Sequence, residues 1–265
     1  MTKLREQDAE QRRASKLGPD FSEALARGLH VIEAFSQTRR PMSLAEVARA
    51  VDLPKATTRR ALHTLLHTGY LEADGRMFSL TPQVLRLAQS YLVSNMVSTV
   101  LQPICERLTQ KTGQNCAVAV LDKEDIVMIA RSVPAQMISI GAGIGFRLPA
   151  INTSLGRVLL SFQPEEIVDH YVDAESSLQT SFTITDPKQL RLILKNVRAS
   201  GYCYVDQEAE YRFRSIAVPI RRFDGSVVAA MHIGGHADQI SESLARDQYL
   251  SLLLMAADEL HHQII

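Results

Sequence analysis

The stretch PMSLAEVARAVDLPKATTRRALHTLLH, residues 41 to 67, restricts the local fold more than any other part of this 265-residue chain. Pro41 breaks an incoming helix, and Ser43 followed three residues later by Glu46 has the capping-box arrangement of a helix start. Leu44, Val47, Ala48 and Val51 then recur at helical spacing as a buried stripe. Asp52 and Leu53 leave only a tight turn before Pro54, which suits the first position of a helix because the N–H it lacks is unpaired there. Upstream, Leu25, Leu29, Ile32 and Phe35 predict an amphipathic helix over residues 22–36, with Ser22 placed to cap it. The pattern is helix, helix, turn, helix.

In the helix that follows Pro54, Thr58, Leu62, Leu65, Leu66 and Gly69 fall within one arc and face a core. Thr57, Arg60, Thr64 and His67 stand opposite, Arg59 and His63 lie at the margin, and Lys55 occupies the exposed first turn. Residues 53 to 67 contain no acid, whereas a solvated surface helix usually mixes acids with its bases. Arginine addresses guanine through two parallel hydrogen bonds, threonine reaches a phosphate or a thymine methyl, and lysine anchors the backbone. GYLEADGRMFSL comes next, two β-prone runs around Asp74 and Gly75, a hairpin that reads as a wing with Arg76 at its tip. The candidate DNA contacts are Ser43, Lys55, Thr57, Thr58, Arg59, Arg60, His63 and Arg76, with Thr58 counted among them despite its place in the inward arc. Winged helices also mediate protein contacts, so a protein-interaction module is the alternative. His63 and His67 have the i,i+4 spacing of a metal pair, but no third ligand is near in sequence and no metal is expected.

The net charge of zero conceals a polarised chain: residues 1–90 carry 14 Lys and Arg against 10 Asp and Glu, and the remainder 15 against 19. Within 39–60, Arg39, Arg40, Arg49, Lys55, Arg59 and Arg60 face only Glu46 and Asp52. No apolar run approaches the roughly 20 residues of a membrane span, and the polar first 20 residues lack the apolar stretch of a secretory signal. The expectation is a flexible leader and a cytoplasmic protein without membrane contact. Cys105, Cys116 and Cys203 are far apart with no CxxC, which predicts reduced, buried thiols.

After Thr81 and Pro82 the pattern is helical through Leu92, the polar SNMVST at 94–99 interrupts it, and another helix starts with Pro103 in its first turn; a domain boundary is placed near residue 95. Strands are predicted at NCAVAVLD, DIVMIARSV, MISIGA, CYVD, FRSIAVPIRR and SVVAAMHIGG, and helices at 153–171, 186–200 and about 241–263. Short connections, notably Asp224-Gly225, favour antiparallel pairing, so this region is α+β, an antiparallel sheet flanked by helices. The case for catalysis is weak. GAGIGF at 141–146 is neither a dinucleotide fingerprint nor a phosphate loop, Ser154 lacks the preceding glycine of a nucleophile elbow, and Asp206, Glu208 and Glu210 read as structural or ligand-orienting acids. No cofactor is implied.

With these motifs assembled, the chain resembles the IclR family of bacterial transcription regulators over its length after the leader. The likeness rests on ARGLHVIEAF, LPKATTRRALHTLLHTGYLEADGRMFSLTPQVLRL, GFRLPAINTSLGRVLLS, GYCYVDQEAEYRFRSIAVPI and VVAAMHIGG, and it is greatest to the branch controlling the β-ketoadipate pathway. The resemblance implies a leader (1–19), a winged helix-turn-helix DNA-binding domain (20–81), a linker helix used in dimerisation (82–99) and a GAF-like effector-binding domain (100–265). Its implied partners are palindromic double-stranded DNA, a small organic acid, and further copies of the chain as a homodimer or dimer of dimers. Matching motifs places Ser154, Leu155, Val205 or Asp206, Phe213, Ser215, His232 and Gly234 around the effector. The start of the TSLGR helix would offer unpaired N–H groups to a carboxylate. Arg212 and His232 depart from the family's usual glycine and small polar residue, so Arg212 or Arg147 is expected to pair with the carboxylate of an aromatic effector, a plain surface arginine being the other reading of Arg212. The expected function is a DNA-binding transcription regulator controlled by a metabolite of aromatic catabolism, not an enzyme. The alternatives are an enzyme acting on a small organic acid with an ancillary winged helix, or the protein-interaction module.

Overall fold

A computed structural model describes residues 18, 20–38, 40–94, 100–135, 143–174, 178–261 and 263. They fall into two compact units, Met1–Ser90 and Tyr91–Ile265.

In the first unit, α1 (Glu23–Ala34), α2 (Leu44–Ala50) and α3 (Lys55–His67) surround a core of Val31, Phe35, Met42, Val47, Leu62, Leu65 and Leu71. The capping box forms: the Glu46 amide donates to Ser43 Oγ at 3.4 Å and the Ser43 amide to Glu46 Oε2 at 2.8 Å. Arg40 lies 2.7 Å from the other carboxylate oxygen, and with the Ser43 bonds it pulls the Glu46 carboxyl down to about 2. Ser22 occupies the N-cap of α1 without making a side-chain cap, and Gly69 lies exposed beyond the end of α3. The wing is β2 (Leu71–Asp74) and β3 (Met77–Leu80), turned by Gly75 at φ 59°. A two-residue strand absent from the sequence expectation, β1 (Met42–Ser43), pairs with the far side of β3 and ties the turn before α2 to the wing. Thr81 Oγ1 accepts from the Gln83 amide, and after a single 3-10 turn α4 (Leu85–Ser94) begins.

The second unit is built on a six-stranded antiparallel sheet, order β6-β5-β4-β9-β8-β7: β4 (Asn115–Asp122), β5 (Asp125–Ser132), β6 (Arg147–Pro149), β7 (Cys203–Asp206), β8 (Phe213–Arg221) and β9 (Val227–His236). Alternation sends Cys116, Val118, Ile216, Val218, Met231 and Ile233 to one face, beneath α5 (Gln102–Thr112) and α9 (Leu250–His261). The opposite face contributes Ala119, Ala217, Ala230, Cys203 and Val205 to a second core under α6 (Ser154–Ser161), with α7 (Glu165–Asp173) and α8 (Pro187–Ser200) beyond it. This is the α+β arrangement expected, a winged helix-turn-helix followed by an antiparallel sheet with helices on both faces.

Three predicted boundaries shift. The helix expected over 153–171 is divided, because Pro164 cannot continue α6 and instead starts α7. The closing helix begins with Glu242–Leu244, passes through a π-helical stretch at Ala245–Tyr249 and only then becomes α9. Strand β6 was not expected; of the interruption predicted at 94–99, Ser94 still belongs to α4, and residues 95–99 and MISIGA lie outside the described residues. All three cysteines are buried free thiols.

One glycine is essential to the second core. A Cβ on Gly156 would lie 2.0 Å from the carbonyl oxygen of Ala150, so α6 sits on the Ala150–Asn152 turn only because nothing projects there. Gly156→Ala should therefore destabilise this unit by about 2 kcal/mol or more, since a fixed backbone atom must move. Calorimetry should record that as a fall of roughly 5 °C or more in its melting temperature.

Candidate functional site

The outward side of α3 is cationic in three dimensions. Lys55, Arg59, Arg60, His63, Thr64 and His67 are exposed, Thr57 is half-buried, and none of the described residues forms an ion pair with Lys55, Arg59 or Arg60. Arg76 is exposed at the turn of the wing. Two expected contacts are corrected. Thr58 is fully buried with its hydroxyl donating to the Pro54 carbonyl at 3.2 Å, and the half-buried Ser43 spends its side chain on the α2 cap. Arg39 lies outside the described residues. Thr57, Arg60 and Thr64 also border a groove of about 600 Å³ between α1 and α3, whose apolar walls include Leu25, Leu29, Ile32, Tyr70 and Leu87.

A second cluster lies on the sheet face beneath α6. Arg131 of β5 stands opposite Ala117 of β4, Ala117 opposite His232 of β9, and His232 opposite Ala217 of β8. The row two residues away runs Asn115, Gly234, Ser215, Val205. Small side chains at Ala117, Ala217, Ser215 and Gly234 thus make a low floor between taller neighbours. Ser154, at the start of α6, places its Oγ 2.8 Å from Ser215 Oγ, while Thr153 Oγ1 accepts from the Gly156 amide. Leu155 is buried beside it. The Phe213 ring centre lies 6.3 Å from that of His232 and rests where a Cβ on Gly234 would approach to 2.6 Å.

Two polar atoms in this cluster are buried without a hydrogen-bond partner among the described residues, Arg131 Nη1 and His232 Nε2. Such atoms are uncommon in folded proteins. Arg131 is otherwise held by its Nε donating to Asn115 Oδ1 at 3.2 Å. Burial, reinforced by the positive charge of Arg131, drives the His232 imidazole down to about 3, so the ring is neutral at physiological pH. Burial also lowers the Arg131 pKa, against the opposing charge of Glu210, but a guanidinium remains protonated.

Beside the cluster, Arg157 of α6 and Glu208 form a buried bidentate pair with two contacts of 2.6 Å. Arg157 Nε donates to the Ile151 carbonyl, the Ile184 amide donates to Glu208 Oε2, and Thr183 Oγ1 donates to the Glu208 carbonyl. Cys203 is buried there too, its thiol pushed up to about 12 chiefly by desolvation.

The arginines chosen from sequence do not join the cluster. Arg147 is exposed at the sheet edge, bonded to Asp122 at 2.6 Å and Asp125 at 3.0 Å, and Arg212 is an exposed residue 2.6 Å from Asp238. Asp206 alternates with Val205 to the other face and pairs with Arg214 at 2.7 Å. Sequence reasoning missed Arg131, Asn115 and Arg157. A signal for the first was present, since Arg131 interrupts the apolar strand DIVMIARS, where a charge is unusual unless it has work to do. The described residues contain no group of three or more His, Cys, Asp and Glu suited to a metal.

Comparison with known proteins adds a lineage to this geometry. A family model described as Bacterial transcriptional regulator IclR C-terminal matches residues 89–262, and one described as IclR helix-turn-helix domain matches residues 24–75. The Pca regulon regulatory protein of Pseudomonas putida is 40% identical over 248 residues, 93% of this chain and 85% of that protein. The p-hydroxybenzoate hydroxylase transcriptional activator of Acinetobacter baylyi is 34% identical, covering 92% of this chain and 93% of its own. Among solved structures, an IclR homolog from Microbacterium hydrocarbonoxydans complexed with 4-hydroxybenzoate superimposes with a TM-score of 0.80 at 25% identity, over 91% of this chain and 99% of that one.

Two outcomes follow from the buried groups. Because the His232 pKa is depressed in the fold, the unfolded chain binds the extra proton between pH 6.5 and about 3, and stability is lost as pH falls through that window. His232→Gln should remove about 1.4 kcal/mol per pH unit from the slope of stability measured by urea denaturation there. Separately, Arg157→Met or Glu208→Gln alone should cost roughly 3–5 kcal/mol by stranding a buried charge, and the double variant less than the sum of the two.

Proposed function

Since this chain belongs to the IclR family of bacterial transcriptional regulators, we propose that it binds operator DNA through α3 and the wing, under the control of a small organic acid held in its second unit. The observation that carries the reading is the exposed, acid-free face of α3, beside a hairpin that presents Arg76. Arg59, Arg60 and His63 are assigned to base edges or phosphates, Lys55 and Thr57 to the backbone, and Arg76 to the flanking minor groove. The organic acid would occupy the cleft formed by Ser154, Leu155, Val205, Phe213, Ser215, His232 and Gly234. Relatives named for the pca regulon and for p-hydroxybenzoate hydroxylase support an effector drawn from aromatic catabolism.

A regulator is favoured over an enzyme because the hydroxyls of Ser154 and Ser215 are bonded to each other and not to a general base. A second copy of the chain is assigned to the exposed apolar side chains Leu25, Leu29 and Leu87, with Thr57 and Arg60 left to the DNA, which makes the working form a homodimer and its operator an inverted repeat. The site of action is the cytoplasm; no helix of the described residues is long and apolar enough to cross a membrane. The acid controls transcription by binding one arrangement of the dimer better than another, since equal affinity would shift nothing.

Selection from a random duplex library with the full-length protein should enrich an inverted repeat. On that duplex, Arg59→Ala and Arg60→Ala should each weaken binding by about 1–3 kcal/mol if they address bases, or lower the salt slope by about one if they address phosphates. No retardation of any duplex at low salt would defeat the reading.

A further inference from the structure

The start of α2 holds an acid that the contacts assigned to α3 and the wing leave without a part. Resting on that DNA-binding reading, we infer that Glu46 is a positioning residue for the wing: it touches no nucleotide itself, and through β1 it sets where Arg76 meets the duplex.

The wing depends on its surroundings for its place. A hairpin of two four-residue strands is marginal by itself in water. β3 has β2 on one side, and on the other it is paired at Phe78 and Met77 with Met42 and Ser43 of β1. This register brings Leu44, the first residue of α2, level with Arg76 at the turn. A displacement of β1 therefore carries the tip of the wing with it.

Glu46 holds β1 at both ends. Its Oε2 accepts from the Ser43 amide at 2.8 Å and from the Ser43 hydroxyl at 2.7 Å, which fixes the last residue of the strand in the extended conformation (φ −77°, ψ 162°) that cap and pairing share. Its Oε1 accepts from Arg40 Nη2 at 2.7 Å, and Arg40 Nη1 donates to the Pro41 carbonyl at 3.3 Å, which fixes the approach to the first. One side chain in the first turn of α2 thus joins the helix to the strand that supports the wing.

The presence of an acid at this place needs a reason. Residues 39–60 hold Glu46 and Asp52 against six Lys and Arg, and a carboxylate close to a phosphate chain opposes binding. Arg40 offsets the Glu46 charge and is itself spent on the clamp, although its side chain is largely exposed. The two possible roles have opposite signs. A carboxylate that merely stands near DNA weakens the complex, so its removal tightens binding. A carboxylate that sets the wing strengthens the complex, so its removal loosens binding, and does so only while Arg76 is there to be positioned.

Fluorescence anisotropy of the inverted repeat enriched by selection, titrated with full-length protein at several salt concentrations, reads both affinity and salt slope. Arg76→Ala should weaken binding about 10-fold and lower the slope by about one per subunit. Glu46→Ala should do nearly the same although Arg76 is still present, and adding it to Arg76→Ala should cost less than about twofold more. Glu46→Gln keeps an oxygen for the Ser43 amide and hydroxyl and should fall between wild type and Glu46→Ala. If Glu46→Ala does not fold, Glu46→Gln carries the same cycle, its smaller loss vanishing in the Arg76→Ala background. Unchanged or tighter binding by the Glu46 variants, or a loss as large without Arg76 as with it, overturns the inference and leaves the wing contact intact. Wild-type affinity and slope in Arg76→Ala would remove the wing contact and this inference together, while the part played by α3 is judged separately by Arg59→Ala and Arg60→Ala.

Discussion

The second unit is organised around the buried contact between Arg157 and Glu208. Bringing a guanidinium and a carboxylate out of water is costly, and their mutual attraction offsets that cost only when the remaining donors and lone pairs are also satisfied. Here they are, because the Ile151 carbonyl takes the third guanidinium hydrogen bond and the Ile184 amide caps the carboxylate. The same pair therefore fixes the turn below α6, the loop that follows β7 and the segment around Thr183, three stretches far apart in the chain. What it contributes is geometry more than net stability. With α6 held at this height, Ser154 Oγ reaches Ser215 Oγ over the alanines of the sheet.

The two units use charge in opposite ways. On α3 the cations are exposed and have no ion-pair partner among the described residues, a surface that can meet a polyanion whose attraction is strong and weakened by salt. Beneath α6 the guanidinium of Arg131 is partly buried and held by an asparagine, where a hydrogen bond is electrostatically stronger than in water. A chain with no net charge accommodates both because its excess positive charge is confined to the first 90 residues.

The first unit was largely legible in the sequence because its determinants are local. Ser43 and Glu46 are three residues apart, Pro54 begins its helix, and Asp74-Gly75 turns its hairpin; each acts over one turn of chain. Even there a helical wheel could not exclude Thr58, since a buried threonine and a phosphate-binding one have the same letter and nearly the same angle. The cleft is another matter. Arg131 comes into one row with His232 only through the register of β5 on β4 and β4 on β9, and a bulge between Val118 and Ala119 shifts the β5 register along the strand. The sequence favoured Arg147 and Arg212 because both lie within the blocks that carry the resemblance and Arg212 replaces the family's usual glycine. Both proved to be engaged by aspartates, Asp122 and Asp125 for one and Asp238 for the other, and no local pattern foretold those pairings. Val205 and Asp206 show the same limit at its smallest, where a shift of one residue exchanges a cleft wall for a partly exposed ion pair.

The outermost strands of the large sheet have a bearing on how copies of this chain can associate. β6 is three residues long and ends in Pro149, which has no amide hydrogen to offer, and β7 at the opposite margin has only four residues. Short margins of this kind give a foreign strand little backbone to zip onto, so growth by ribbon-to-ribbon addition is disfavoured. Margins this short among the described residues leave side-chain contacts as the favoured route for association and work against fibrous aggregation.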